Sequence, residues 1–176
     1  MNLPIKILSQ KGELDTNSPT VIMLCGQGSS GKTSFWVEYL SEKIVISFDA
    51  VMMTLPKISN YTSGIELFND LIKQISSLKL ELDIVLDFAH DTVMARAASL
   101  DCIQNPDLFN FLIIHINPDF NTLIKNDKRR KGTTSFSQEH INWLKEMNDL
   151  FVRPTIEEFE KYNFKSVTIA EYQQIN

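Results

Sequence analysis

The sequence has few of the residues that mark a disulfide-bonded, metal-binding or membrane protein. Its 176 residues include 2 cysteines and 3 histidines, so we expect neither a disulfide framework nor a transition-metal site. No apolar run reaches the length of a transmembrane helix, and the N-terminus lacks the apolar stretch of a signal peptide. These features predict a soluble, cytoplasmic protein.

The composition is that of a globular domain. Hydrophobic residues make up 43% of the chain, charged residues make up 22%, and the formal net charge is −5. A negative net charge disfavours indiscriminate coating of nucleic acid, although it leaves room for a local basic groove. We predict an N-terminal extension over residues 1–18 and a single domain over residues 19–176, with no expectation about the oligomeric state.

Near-continuous apolar runs alternate with helical patterns along the domain. Strands are predicted at residues 20–25, 44–48, 82–87, 111–116 and 166–169. Helices are predicted at residues 33–41, 64–78, 93–100 and 138–151, with a short helix near Pro154. This alternation predicts an α/β fold of three layers, with a central parallel sheet of about five strands between helices.

One motif in the chain has a well-defined chemistry. The run Gly26-Gln27-Gly28-Ser29-Ser30-Gly31-Lys32-Thr33 fits the pattern Gly-x-x-x-x-Gly-Lys-Ser/Thr between a predicted strand and a predicted helix. The glycines let backbone N–H groups surround a phosphate, the lysine reaches the terminal phosphates, and the threonine hydroxyl can bind Mg²⁺. The alternative is a Gly/Ser-rich turn with an exposed lysine.

This motif predicts a phosphate-binding loop (residues 26–33) for ATP or another nucleoside triphosphate. The predicted nucleotide-binding residues are the loop and the residue after it: Gly26, Gln27, Gly28, Ser29, Ser30, Gly31, Lys32, Thr33 and Ser34.

Two acidic residues follow predicted strands on the side of the sheet where ligands bind. Asp49 comes after the strand at 44–48, and its carboxylate can accept a proton from an attacking hydroxyl or orient that hydroxyl. Asp87 ends the strand at 82–87, as does the acid associated with Mg²⁺ in many nucleotide-binding folds. Each could instead cap a helix or turn, and for Asp87 contact with metal or with substrate remains open.

A basic run follows the fourth predicted strand. Residues 118–136 are polar and basic, and we predict that they form a lid over the phosphates. Because negative charge builds on the transferred phosphoryl group, Arg129 or Arg130 would compensate it. The alternatives are a solvated basic helix face or a patch that contacts nucleic acid.

Residues 19–169 resemble the small P-loop phosphotransferases that include 5′-hydroxyl polynucleotide kinases, chloramphenicol phosphotransferase and zeta-toxin-like kinases. The resemblance lies in the phosphate-binding loop, in the strand that leads to Asp49, in Asp87 and in the basic run at 125–129. The stretch at 151–159 is similar to the Phe-x-x-Pro-Thr…Phe stretch of polynucleotide kinases. The resemblance implies that Asp49 acts on the acceptor hydroxyl and that a lid arginine contacts the transferred phosphate.

One position departs from the polynucleotide kinase pattern. Those enzymes typically carry Asp-x-x-Arg after the second strand, and their arginine helps to hold the substrate's phosphate. Here the residue three positions after Asp49 is Met52. The departure weakens the nucleic-acid assignment and leaves phosphoryl transfer intact.

The sequence therefore predicts an ATP- and Mg²⁺-dependent kinase for a hydroxyl acceptor. The predicted catalytic residues are Lys32, Asp49, Arg129 and Arg130, and the predicted Mg²⁺ ligands are Thr33 and Asp87. A polynucleotide 5′-hydroxyl is the first choice of acceptor, and a small-molecule alcohol such as an antibiotic or metabolite is the second. A non-catalytic nucleotide-binding regulator is the alternative from another functional class.

Overall fold

The computed structural model describes residues 3–56, 60–78 and 81–172 of the chain. Within these residues it contains a six-stranded sheet with the strand order β1-β6-β5-β2-β4-β3. The strands are β1 (Ile5–Lys11), β2 (Thr20–Cys25), β3 (Ile44–Ser47), β4 (Ile84–Asp87), β5 (Asn110–His115) and β6 (Ser166–Tyr172). In the part of the chain that is described, no helix has the length and apolar character needed to span a membrane.

Helices connect the strands. They are α1 (Lys32–Tyr39), α2 (Phe48–Thr54), α3 (Tyr61–Ser77), α4 (Val93–Leu100), α5 (Phe120–Lys131) and α6 (Gln138–Asp149). Two 3₁₀ segments, Pro106–Leu108 and Ile156–Tyr162, precede β5 and β6. The predicted alternation of strands and helices is confirmed.

The side chains of β2 show why the sheet needs cover on both faces. Val21 and Met23 belong to the apolar cluster that contains residues of α2, α3 and α4. Ile22 and Leu24 belong to the other cluster, which contains Phe35 of α1. Because successive side chains of a strand point to opposite faces, a strand that is apolar throughout is buried between two helical layers.

The predicted fold class is confirmed, with one strand added. Five strands, from β6 to β3, run parallel as predicted. The sixth, β1, lies within the predicted N-terminal extension and pairs antiparallel with β6 at the sheet edge. The division of the chain into an extension and one domain remains a prediction.

One helix lies where the sequence predicts a loop. Helix α2 begins at Phe48, the last residue of the strand predicted at 44–48, and has only seven residues. A seven-residue segment gives fewer than two helical turns, so its periodicity is too short to read from sequence. Asp49 consequently lies in the first turn of a helix whose N-cap position is Ser47, and it does not cap the helix itself.

Candidate active site

The loop between β2 and α1 has the backbone shape that its glycines allow. Gly26 has φ 155°, and a Cβ there would collide with the carbonyl oxygen of Ile116. Gly31 has φ 102° and occupies the N-cap position of α1, in the left-handed region that favours glycine. The loop is therefore bent tightly at both ends and leads directly into the N-terminus of α1, where anions are favoured.

Lys32 lies folded over this loop. Its Nζ atom donates to the carbonyl oxygens of Gly26, at 2.7 Å, and Gln27, at 2.9 Å. Burial lowers the pKa of Lys32, and the nearby charge of Asp87 opposes that shift. A poorly solvated ammonium gains free energy from a nearby phosphate, so the position suits an anion.

Asp87 lies at the centre of a buried polar cluster. Its Oδ2 atom accepts hydrogen bonds from Trp36 Nε1 at 2.7 Å, Thr33 Oγ1 at 3.2 Å and Ser47 Oγ at 3.3 Å. The residue is 5% exposed, and burial raises the pKa of Asp87 while the hydrogen bond from Trp36 opposes the rise. Both predicted Mg²⁺ ligands thus lie within hydrogen-bonding distance of each other.

This donor set suits a hard cation. Oxygen atoms of Thr33, Asp87 and Ser47 converge below the phosphate-binding loop, and Mg²⁺ prefers one or two carboxylates, hydroxyls and phosphate oxygens. Among the described residues there is no cluster of three or more His, Cys, Asp or Glu that could hold a metal by itself.

One cavity of about 480 Å³ brings the predicted site together. The loop contributes Gly28, Ser29, Gly31, Lys32 and Thr33, and the following helix contributes Ser34. The other predicted residues in its wall are Asp49, Asp87, Arg129 and Arg130. Residues from four separate segments of the chain therefore face one space.

The wall beside Asp49 is aromatic. Phe48, Tyr61 and Phe88 line the cavity, and their rings pack together with centroid distances of 4.6 Å between Phe48 and Phe88 and 5.0 Å between Phe48 and Tyr61. Tyr61 is 56% exposed. Such rings offer flat apolar surface to a ligand that approaches Asp49.

Three predicted loop residues do not line this cavity. Gly26 and Gln27, at the start of the loop, are buried, and the Gln27 side chain donates to Asn148 of α6 at 2.8 Å. Ser30 is buried and faces a second cavity, of about 590 Å³, on the other side of the loop. Tyr172 and the buried Phe35 lie in the wall of this second cavity, and Arg129 lies in the wall of both cavities.

Met52, the position of the departure noted above, turns away from the cavity. It is partly buried against the core, and a Cβ on Gly64 of α3 would collide with its sulfur atom. Met52 thus packs α2 against α3 and is absent from the cavity wall.

The basic run forms helix α5, which lies beside the phosphate-binding loop. Asn126 Nδ2 donates to the carbonyl oxygen of Ser29 at 3.3 Å, and Asp127 accepts a hydrogen bond from the hydroxyl of Ser29 at 2.6 Å. The predicted lid segment therefore contains a helix that contacts the loop directly, and this helix carries both candidate arginines.

The residues that support this site are not among those predicted from the sequence. Trp36 and Ser47 hold Asp87, and Asp127 joins the loop to α5. Two signals were available: Trp36 is three residues after Thr33, on the same face of a helix, and Asp127 is the single acid in the basic run 125–131. No sequence signal pointed to Ser47.

Comparison with solved structures finds chains of the same fold. A chain of the Pnkp1/Rnl/Hen1 RNA repair complex matches with a TM-score of 0.59 and 16% identity over 86% of this chain and 49% of that chain. A gluconokinase from Sinorhizobium meliloti 1021 matches with a TM-score of 0.54 and 15% identity, covering 90% of this chain and 86% of that chain. A fungal RNA kinase matches with a TM-score of 0.52 and 12% identity, covering 90% and 78%.

These likenesses establish the fold. The chain spans about half the length of the matched RNA repair protein. No protein-family model matches the sequence. A comparison with curated proteins gives no match either.

Proposed function

We propose that this protein is a nucleoside-triphosphate- and Mg²⁺-dependent kinase that transfers the terminal phosphoryl group to a hydroxyl. The observation that carries the proposal is the shared cavity, where the phosphate-binding loop, Asp49, Asp87 and two arginines face one space. Phosphoryl transfer needs this combination because its catalysis consists mainly of positioning and charge stabilisation.

The donor half of the site is the loop and its surroundings. The loop amides and Lys32 hold the terminal phosphates of ATP, and the nucleoside extends toward the second cavity, whose wall includes the partly exposed ring of Tyr172. Thr33 and Asp87 would hold Mg²⁺, which when bound neutralises charge on the phosphate oxygens. We assign Asp87 to the metal because its carboxylate contacts Thr33 and lies deep under the loop.

The acceptor half is the space in front of Asp49. Its exposed carboxylate accepts the proton of the attacking hydroxyl. Arg129 and Arg130 of α5, which line the same cavity, stabilise the charge that develops on the transferred group.

For the acceptor, a polynucleotide 5′-hydroxyl is the first candidate. Its support comes from the aromatic wall, since bases of single-stranded nucleic acid stack on exposed rings such as Tyr61. The stretch at 151–159, whose likeness to polynucleotide kinases also favours this acceptor, has a structural role here: Glu158 pairs with buried Arg96 and Phe159 is part of the core.

A small alcohol with a flat ring is the second candidate, and Met52 favours it. Where polynucleotide kinases place an arginine for the substrate's phosphate, this side chain packs between α2 and α3. Among the described residues, the lysine and arginines of the cavity wall all come from the loop and α5. None comes from the segments that carry Asp49, Tyr61 and Phe88, where we expect a second phosphate of a polynucleotide to need one.

The acceptor can be identified with γ-labelled ATP and two panels. One panel contains single-stranded RNA and DNA oligonucleotides with 5′-hydroxyl ends, and the other contains nucleosides, sugar alcohols and aromatic alcohols. We expect label on the oligonucleotides. Label on a small alcohol and on no oligonucleotide would reject the first acceptor and support the second.

Two substitutions test the assignment of roles. Asp49→Asn should keep ATP binding and lower transfer by about 100-fold or more, because it removes the proton acceptor. Lys32→Ala should weaken ATP binding itself. Asp70→Asn, which removes an exposed carboxylate of α3, is the matched control and should transfer phosphate like the wild type.

The same variants separate the kinase from a nucleotide-binding regulator. If the chain were a regulator, Asp49→Asn would keep full function while Lys32→Ala abolished it. Full transfer activity in Asp49→Asn would show that another group accepts the proton.

A further inference from the structure

Asp127 is a buried carboxylate in a helix that is otherwise strongly basic. It lies in the middle of α5, and its side chain is 1% exposed, whereas the neighbouring Arg129 and Arg130 are exposed. A carboxylate is buried at a cost unless charged or hydrogen-bonding partners compensate it. Its partners therefore indicate what holds it in place.

Those partners come from three elements. Ser29 of the phosphate-binding loop donates its hydroxyl to Oδ1 at 2.6 Å, and the Nε2 atom of His140, in α6, lies 2.8 Å from Oδ2. On α5 itself, Arg130 Nη2 lies 3.2 Å from Oδ1 and Lys131 Nζ lies 3.6 Å from Oδ2. Asp127 thus ties the loop, the lid helix and α6 together.

The charge state of this carboxylate fits that role. Burial alone would raise the pKa of Asp127, but the hydrogen bonds from Ser29 and His140 hold it below its ordinary value. The group is ionised at neutral pH, so its contacts with Ser29 and His140 are charge-assisted hydrogen bonds.

Ser29 has a backbone shape that needs support. Its φ is 63°, in the left-handed region that residues with a Cβ adopt at a cost in free energy. Helix α5 contacts this residue twice, since Asn126 donates to its carbonyl oxygen and Asp127 accepts from its hydroxyl. The loop conformation and the position of α5 therefore depend on each other.

The spacing along α5 links this contact to the arginines. Asn126, Arg129 and Arg130 line the cavity, and residues separated by three and four positions share one face of a helix. Asp127 lies beside that face, where it contacts the loop and binds the guanidinium of Arg130. A shift of Asp127 away from Ser29 would therefore displace the helix face that carries both arginines.

We propose that Asp127 is a positioning residue that holds α5 on the phosphate-binding loop through Ser29, so that Arg129 and Arg130 face the terminal phosphate of the bound nucleotide. The assignment of the two arginines rests on the proposed function, whereas the contact between loop and helix does not. Asp127 acts through Ser29 and Arg130 and does not itself touch the substrate.

The first test measures how long the loop and α5 hold a nucleotide, which requires no catalysis. The rate of dissociation of a fluorescent ATP analogue with Mg²⁺ is compared in the wild type, Ser29→Ala, Asp127→Asn and the double variant. Each single variant should release the analogue about tenfold faster, as expected for the loss of a charge-assisted hydrogen bond. The double variant should be no faster than the faster single variant, because both remove one interaction.

Two controls keep this result specific. Glu146→Gln removes an exposed carboxylate from α6 and should leave the dissociation rate unchanged. Ser29→Ala removes a single hydroxyl from a partly exposed loop residue, so it tests the contact even if Asp127→Asn folds poorly. The proposal would be overturned if Ser29→Ala released the analogue at the wild-type rate. It would also be overturned if the increase in dissociation rate in the double variant were the product of the two single increases.

The second test asks whether the arginines are displaced. In both single variants we measure the ratio of ATP hydrolysis to phosphoryl transfer. This ratio should rise severalfold, because the displaced lid no longer excludes water. A purely structural role would lower both rates together and leave the ratio unchanged, which would overturn the proposal. If the wild type phosphorylates no acceptor, the proposed function fails while the dissociation experiment still decides the role of Asp127.

Discussion

At the scale of single residues, Asp87 depends on donors beyond the one, Thr33, that the loop motif supplies. One of its oxygen atoms accepts hydrogen bonds from α1 and from the end of β3. The shortest, at 2.7 Å, comes from the indole of Trp36. Because burial raises the pKa of Asp87 and this hydrogen bond opposes the rise, Trp36 helps to keep the carboxylate ionised and able to bind a cation.

Replacing that indole should impair the metal site. In Trp36→Phe the pKa of Asp87 rises further, so the acid limb of the activity profile moves to higher pH and more Mg²⁺ is needed for half-maximal activity. We also expect a loss of about 2 kcal/mol in the free energy of unfolding, as for other hydrogen bonds to charged groups. ATP turnover measured against pH and Mg²⁺ concentration checks the first effect, and urea unfolding checks the second.

The second tryptophan provides the control for this substitution. Trp143 is half-exposed on α6, so Trp143→Phe should leave the pH profile and the Mg²⁺ requirement unchanged. If Trp36→Phe had the same acid limb as the wild type, Trp36 would serve only to pack α1.

Some residues of the site can be predicted from the sequence and others cannot. Lys32 and Thr33 belong to a contiguous motif, and Asp49 and Asp87 come at the ends of apolar runs in the sequence, so local patterns are enough to find them. Asp127 gains its role from Ser29, 98 positions earlier in the chain. A contact across that distance is a consequence of tertiary packing and leaves no local periodicity.

At the scale of elements, the 3₁₀ segment before β6 is fixed by a buried ion pair. Arg96 of α4 donates Nε and Nη2 to the two carboxylate oxygens of Glu158, at 2.8 and 2.9 Å, and its Nη1 donates to the carbonyl oxygen of Val152 at 2.9 Å. The Thr155 and Glu158 side chains and backbones also form a capping box. The stretch at 151–159 thus folds against α4.

Breaking this pair should destabilise the protein without affecting the nucleotide site. Lysine cannot reproduce the paired geometry of a guanidinium, so Arg96→Lys should lower the free energy of unfolding by about 3 kcal/mol. The measurement is urea unfolding, with binding of ATP to the folded fraction as the second readout. ATP affinity should stay within about threefold of the wild type, since Arg96 does not line the cavity.

A surface ion pair of the same region serves as the comparison. Lys161 and Asp101 are both exposed and lie 3.7 Å apart, so Lys161→Gln should have no measurable effect on unfolding. Equal effects of Arg96→Lys and Lys161→Gln would show that burial of the Arg96 pair adds nothing to stability.

The same scale shows which elements the sequence can predict. The five parallel strands are recognisable because each contains a short, mainly apolar run and is separated from the next by a helical pattern. The antiparallel pairing of β1 with β6 cannot be recognised from sequence, because Lys11 pairs with Val167 at the other end of the chain. Helix α2 is hidden because its first residues continue the apolar run of β3.

At the scale of the whole molecule, two buried histidines make stability depend on pH. His90 contacts the carbonyl oxygen of Leu24 and the hydroxyl of Ser99, and His115 stacks on Phe151. Burial lowers the pKa of His90 to about 3 and the pKa of His115 to about 4, from an ordinary value of 6.5. Both rings are therefore neutral in the folded protein at any pH above about 5.

This neutrality determines the sign of the pH dependence. Below pH 6.5 the unfolded chain takes up protons that the folded protein does not bind, so the free energy of unfolding falls as the pH falls. From pH 7 to pH 5 each histidine should contribute a loss of about 2 kcal/mol, and His90→Gln should remove one of these contributions although it also weakens the fold at pH 7. Urea unfolding of both proteins at several pH values gives the two slopes, and equal slopes would mean that His90 is protonated in the folded state.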